Sequence, residues 1–285
     1  MKRKALMLCL FSIMSSSLSN VLEMPDSNRR TKMIGGKEAK PNQLPYLVSI
    51  YHTNRKHNCG GGILNDRYIL TAAHCIINPN TGKFFDIPME IVVDTVDLEN
   101  DPGVRIRIEK AFVPKNYVQA GNFNDIGILK LSSSLDLSNN PQRQKLNLPK
   151  AGDNFDDQIA TIAGFGWTDS NDYSTIGKHL KYWTSKVISK NDCINYWRNE
   201  VNQDYLCAQM LPLPNAAAVG ICNGDSGSPL VIHDTVIGVA VIAEWNCDER
   251  VKPALYTKVS IHLPFIETVL TGQHNNVAEY DFPST

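Results

Sequence analysis

The chain has no Cys-x-x-Cys pair and no His-Glu-x-x-His segment, so neither of two short zinc signatures is present and no metal or other cofactor is expected. It has no Asn-x-Ser/Thr sequon, which argues against N-linked sugars. Internal repeats and low-complexity tracts are absent. Formal net charge is only −1 at pH 7, from 28 Lys+Arg and 29 Asp+Glu, so no bulk field draws the chain to nucleic acid or to an anionic membrane. After the first twenty residues no apolar run is long enough to cross a bilayer. What remains is an ordinary globular composition, 42% apolar over 285 residues, enough for one large domain or two small ones.

The amino terminus reads as a processing signal. Lys2, Arg3 and Lys4 precede a short apolar core from Ala5 to Met14, and small residues at Ser17 and Ser19 follow. This is the layout of a secretory signal cut near Ser19, and the apolar core is too short for a membrane anchor. Residues 1–19 are therefore expected to be removed and the protein exported, with Cys9 lost. Cys59, Cys75, Cys193, Cys207, Cys222 and Cys247 remain. An even number in an exported chain points to disulfides, although six cysteines allow fifteen pairings.

From residue 33 the pattern is mostly β. Short apolar or alternating runs lie at Leu47–Tyr51, Tyr68–Ala72, Val104–Ile108, Ile126–Leu131, Ile159–Ala163, Tyr182–Ile188, Leu230–Ile232, Val236–Ala243 and Leu255–Val259, separated by Gly, Pro, Asn and Asp clusters. That pattern predicts a sandwich or barrels. Val104–Ile108 alternates cleanly and should bury one face. Two helices are expected: one capped by Asn191 or Asp192 and running towards Arg198, the other from His262 to Leu270 with Pro264 in its first turn. The polar stretch from Ser132 to Asp157 reads as the connection between two halves, and residues 271–285 as a loose tail.

Three side chains stand out as chemistry. Ser226 lies in Gly224-Asp225-Ser226-Gly227, where flanking glycines permit a sharp turn and close approach of a ligand. In such a turn the amides of Gly224 and Ser226 can face one oxygen. A plain surface turn is the alternative reading, since Gly, Asp and Ser are all turn formers. His74 follows the run Ile69–Ala73 and precedes Cys75. A histidine there is either a packed core residue or a base held by a disulfide beneath it. Asp125 opens the apolar run Ile126–Leu131; it is a strand-end cap, or a carboxylate that orients His74.

Taken with Met33-Ile34-Gly35-Gly36, the segments Thr71-Ala72-Ala73-His74-Cys75, Asn124-Asp125-Ile126 and Gly224-Asp225-Ser226-Gly227 occur in the order and spacing of the chymotrypsin family of secreted serine proteases, which the chain resembles from residue 33 to about Leu270. The resemblance implies an all-β fold of two six-stranded antiparallel barrels, 33–140 and 141–270, the second with a terminal helix. It implies Ser226 as nucleophile, His74 as general base and then acid, Asp125 as orienting carboxylate, and the amides of Gly224 and Ser226 as oxyanion hole. The implied disulfides are Cys59–Cys75, Cys193–Cys207 and Cys222–Cys247. Residues 20–32 would be an activation peptide, cut after Lys32 by a trypsin-like protease so that the Met33 amine pairs with Asp225. Methionine replaces the family's usual Ile or Val at that position. The implied partners are protein or peptide substrates, the activating protease and protein inhibitors, with the enzyme a monomer.

In the family the pocket floor corresponds to Gly220 and the pocket walls to Ala243 and Ala254. An uncharged floor would bury a substrate Lys or Arg unpaired, so apolar residues are expected before the scissile bond, in the chymotrypsin-to-elastase range. Val241-Ile242-Ala243 departs from the family's Ser-Trp-Gly or Ser-Phe-Gly. Val241 cannot hydrogen-bond the triad aspartate, and Ile242 cannot stack on substrate. These changes keep a catalytically weak or silent, binding-only protein as the alternative, although such relatives usually lose Ser, His or Asp and all three are present. An α/β-hydrolase esterase does not fit, because there the serine precedes the histidine.

Overall fold

The computed structural model describes residues 36–52, 57–168, 178–198, 201–213, 219–243, 246–274 and 276–283. The expected signal and activation segments, Lys32 and Met33 included, lie outside the described residues. In chain order the elements are β1 (Lys37–Glu38), β2 (Leu47–His52), β3 (His57–Ile63), β4 (Tyr68–Thr71), β5 (Ile77–Asn78), β6 (Lys83–Phe84), β7 (Met89–Val93), β8 (Val104–Pro114) and β9 (Gly127–Leu131). Then follow β10 (Ile159–Gly164), β11 (Lys181–Ile188), α1 (Lys190–Trp197), β12 (Tyr205–Met210), β13 (Pro229–Ile232), β14 (Thr235–Ile242), β15 (Ala254–Lys258), α2 (Leu263–Leu270) and β16 (Val277–Asp281).

Two antiparallel barrels result. The first closes in the order β8-β7-β2-β3-β4-β9, with β9 returning to β8; the second runs β11-β10-β13-β14-β15-β12, with β12 returning to β11. Closure leaves no open sheet edge within either ring. The sequence pattern explains the inward faces: in β8 Ile106 and Ile108 are buried as the alternation requires, while Val104, on the same face at the start of the strand, is exposed. Ile50, Ile69, Ile91, Ile108 and Leu129 fill the first barrel. Ile162, Leu230, Ile237, Ala254 and Tyr256 fill the second. Residues between β9 and β10 connect the barrels and send Leu135 and Leu146 into the first core. Among the described residues no helix is long and apolar enough to cross a membrane.

The strand β3 carries little apolar signal because Gly60, Gly61 and Gly62 form its centre. Close packing explains the glycine at its first position: a Cβ on Gly60 would stand 2.0 Å from Ser228 Oγ of the other barrel. Gly60 thereby lets the barrels meet backbone to backbone where the cleft begins, while a Cβ on Gly61 would stand 2.8 Å from Ile69 within its own barrel.

Two local expectations need correction. The cap of α1 is Ser189, not Asn191 or Asp192: Ser189 Oγ accepts from Asp192 N at 3.2 Å and donates to Asp192 Oδ2 at 2.7 Å, so serine and aspartate hold each other across the first turn. The carboxy-terminal segment is not a loose tail. Val277–Asp281 forms β16 and pairs antiparallel with β8 from Pro114 to Lys110. Tyr280 stacks on Phe84 at 5.3 Å and its hydroxyl donates to Asp86 at 2.6 Å, while Phe282 is buried. By contrast α2 forms where expected, with Pro264 in its first turn and Ile266 and Val269 buried.

Candidate active site

The disulfides Cys59–Cys75, Cys193–Cys207 and Cys222–Cys247 are all formed. The first ties β3 to the short 3-10 turn Ala73–Cys75 that carries His74. That turn lies at the end of β4, directly across from the start of β9, where Thr71 pairs with Gly127. Asp125 sits two residues before β9 and is fully buried. Its carboxylate grips His74 twice: Oδ1 accepts from the His74 amide at 2.9 Å and Oδ2 from Nδ1 at 2.6 Å. Because a carboxylate only accepts, Nδ1 carries the proton and Nε2 of neutral His74 is the bare, basic nitrogen. Burial works to lower the His74 pKa, but the charge of Asp125 and its hydrogen bond outweigh it and hold the imidazole above the ordinary histidine value. The expected loss of a bond at Val241 fits this picture: among the described residues the Asp125 carboxylate accepts from His74 alone, while Thr257 Oγ1 donates to the Asp125 backbone carbonyl at 2.7 Å.

Ser226 comes from the second barrel and is pinned against the first. Gly60 N donates to the Ser226 carbonyl at 2.8 Å. Gly227 has φ of +79°, and a Cβ there would stand 2.2 Å from Thr71 Oγ1, so only glycine lets this turn lie on the end of β4. The serine turn thus rests on the strand that leads into His74, with Ser226 partly exposed at the cleft. Among the described residues no hydrogen bond joins Ser226 Oγ to His74; in unliganded sites such bonds are commonly long and tighten with substrate. The amides of Gly224 and Ser226 have no protein acceptor among the described residues. The preceding peptide is held by Trp167 N donating to the Asn223 carbonyl at 2.8 Å, which directs the Gly224 N–H the opposite way across a trans peptide.

The carbonyl of Gly224 is held by a residue that the sequence did not single out. His57 Nε2 donates to it at 2.8 Å, and Ser49 Oγ lies 2.6 Å from His57 Nδ1. A carbonyl can only accept, so Nε2 carries the proton and Nδ1 accepts from the serine. Burial pushes the His57 pKa down to about 4, which keeps this neutral form at physiological pH. Asp225 is fully buried beside it. Its Oδ1 accepts from Gly166 N at 2.8 Å and its Oδ2 from Cys222 N at 2.9 Å. Burial raises its pKa to about 7, and no cation meets it among the described residues.

Beside Ser226 opens a cavity of about 250 Å³, lined by Ile221, Asn223, Val241, Ala243 and Cys247 among others. Of the three residues expected to shape it, only Ala243 does so among the described residues. Ala254 faces the second barrel's core and is fully buried. The direction in which a side chain at Gly220 would point is filled, with the Cys247 carbonyl 2.4 Å and Glu249 Cγ 3.2 Å from an added Cβ. The ligand-type atoms of Cys59, His74 and Cys75 lie close together, but both sulfurs are consumed in the disulfide, leaving one donor and no metal-binding set.

Comparison with known proteins agrees with this geometry. A sequence model of the trypsin family matches residues 33–266. Trypsin Tyr p 3.0101 of Tyrophagus putrescentiae is 30% identical over 82% of this chain and 79% of its own, and Kallikrein-7 of Homo sapiens is 31% identical over 80% and 83%. The structure of human heparin binding protein superimposes with a TM-score of 0.68 at 25% identity, covering 83% of this chain and 96% of that one. A cleft between two closed barrels, a histidine clamped by a buried aspartate and a family match over most of the chain lead to one conclusion: this chain belongs to the trypsin family of serine proteases and is a peptidase.

Proposed function

We propose that the chain is a secreted endopeptidase that hydrolyses peptide bonds through an acyl-enzyme on Ser226, with a preference for apolar rather than basic residues before the scissile bond. The double clamp of Asp125 on His74 carries this reading. With Nδ1–H donated to Asp125, Nε2 is free to take the Ser226 proton as Oγ attacks the scissile carbonyl. The imidazolium formed is stabilised by the buried carboxylate, and the oxyanion by the Gly224 and Ser226 amides. Nε2 then gives its proton to the leaving amine, and water enters along the same route to free Ser226.

Activation by cleavage after Lys32 belongs to the same proposal. Asp225 is a buried carboxylate whose two oxygens meet only amides among the described residues. A new Met33 ammonium entering beside it would supply the opposite charge that its surroundings lack, fixing the Gly224–Ser226 turn. Apolar preference is supported by the uncharged lining at Ile221, Val241 and Ala243. The test is labelling with a phosphonyl fluoride, followed by peptide mapping. Modification of Ser226 that accelerates at least tenfold after cleavage at Lys32 is expected. Equal labelling before and after would refute the activation step, and no labelling of Ser226 would refute the nucleophile.

A further inference from the structure

Behind the cavity lies a carboxylic acid that the reaction does not use. Glu249 is 1% exposed, and its side chain is built into place: Oε2 accepts from Met210 N at 2.6 Å and Oε1 from Ile221 N at 2.9 Å. Its main chain is held as firmly, with N donating to the Val219 carbonyl at 2.7 Å and the carbonyl accepting from Gln209 Nε2 at 2.7 Å. Ile221 and Cys247 both line the cavity, and Glu249 is bonded to the first and two residues from the second. Its Cγ and the Cys247 carbonyl together occupy the space in front of Gly220.

Resting on the reading of this cavity as the pocket for the substrate residue before the scissile bond, we infer that Glu249 is its specificity-determining residue: it closes the floor beneath Gly220 and confines the pocket to short, uncharged side chains. Depth is the first consequence. The space in front of Gly220 is taken by Glu249 Cγ and the Cys247 carbonyl, so a longer substrate side chain finds no room in that direction. Charge is the second. The ionisable groups that act on Glu249 are Asp225 from the serine turn, Asp248 from its own segment and the Tyr256 hydroxyl from β15, and Asp248 already pairs with Arg250. Among the described residues none of these is a cation, and burial pushes the Glu249 pKa up to about 8. At neutral pH the floor is a neutral acid that gives a lysine side chain no partner; above pH 8 it becomes an anion.

The experiment uses the full chain, activated with immobilised trypsin that is then removed, and peptides differing only in Ala, Val, Leu, Phe or Lys before the scissile bond. The wild type is expected to favour Ala and Val. Glu249→Ala should raise kcat/KM for Phe relative to Ala by about tenfold or more, chiefly through KM. Glu249→Gln should keep the wild-type ranking because it keeps the shape. It should also abolish the rise in Lys relative to Ala turnover that is expected of the wild type between pH 7 and 9. A common loss on all peptides with unchanged ranking in Glu249→Ala would reduce Glu249 to a structural role. An unaltered Lys-to-Ala pH profile in Glu249→Gln would overturn the proposal even if the alanine variant fails to fold. Absence of wild-type turnover on every peptide would refute the peptidase reading itself, a distinct result.

Discussion

Replacing Phe282 by alanine tests whether the carboxy-terminal strand is part of the folded body. Phe282 is 6% exposed and packs edge-on to Tyr280 at 5.2 Å between ring centres, while its amide donates to the Glu109 carbonyl at 2.9 Å. The substitution leaves that backbone bond intact and removes only the ring. Deleting a buried phenylalanine ring costs about 3–5 kcal/mol through lost transfer energy and the cavity left behind. In a domain of this size each kcal/mol lowers Tm by about 2–4 °C, so the expected fall is roughly 6–20 °C. Thermal unfolding of the full chain followed by circular dichroism gives the number. Ile159→Ala is the control: that side chain is 49% exposed and its loss should be felt little. A fall under about 2 °C for Phe282→Ala would show that β16 contributes nothing, and the packing argument would fail.

Asp125→Asn should lower kcat by roughly 10⁴-fold at neutral pH with KM little changed, because an amide no longer stabilises the imidazolium; a loss below tenfold in steady-state assays would contradict the clamp. Gly220→Asp should fail to create cleavage after Lys or Arg, since its Cβ would stand 2.4 Å from the Cys247 carbonyl, and a variant that gained such cleavage at wild-type stability would refute the blocked floor. Glu249→Gln should change the pH dependence of stability. Burial raises the Glu249 pKa to about 8, so the folded chain holds a proton that the unfolded chain has lost, and its stabilising effect, full below the ordinary glutamate range, disappears as pH rises through 8. The glutamine variant lacks this loss, and should gain on the wild type between pH 5 and 9 by an amount on the order of a few kcal/mol; parallel melting curves across that range would refute the assignment. Below its raised His74 pKa the enzyme should lose activity, so the acid limb of kcat/KM should lie above the ordinary histidine value, and a limb below it would contradict the Asp125 effect.

The parts of this molecule that were legible in the sequence are those whose signal is local. His74 and Asp125, which meet in the fold, each sit in a short motif, and the alternation at Val104–Ile108 marks a half-buried strand without outside help. What escaped depends on distant partners. The strand β3 hides behind three consecutive glycines, set by close packing (Gly60 on Ser228 and Gly62 beside Pro229 of the opposite barrel, Gly61 on Ile69 and Val48 of its own) rather than by strand propensity. The strand β16 is short and, Val277 apart, exposed or half-exposed; its partner β8 lies far upstream, and no pattern within 271–285 announces that pairing. Gly220 offers no side chain, so a reading from sequence sees an open floor. Whether that space is empty is decided by Cys247 and Glu249, which the chain brings back from beyond Ser226. Ser49 and His57 had a faint signal: polar residues in strands buried along almost their whole length, which fold together only if they satisfy each other or a carbonyl.

Turnover of a peptide substrate by the activated chain and by its Ser226→Ala variant tests the central claim most directly. The account predicts a loss of kcat of roughly 10⁵–10⁶-fold, because without the hydroxyl His74 and Asp125 have no nucleophile to serve. Turnover within tenfold of the wild type would contradict it.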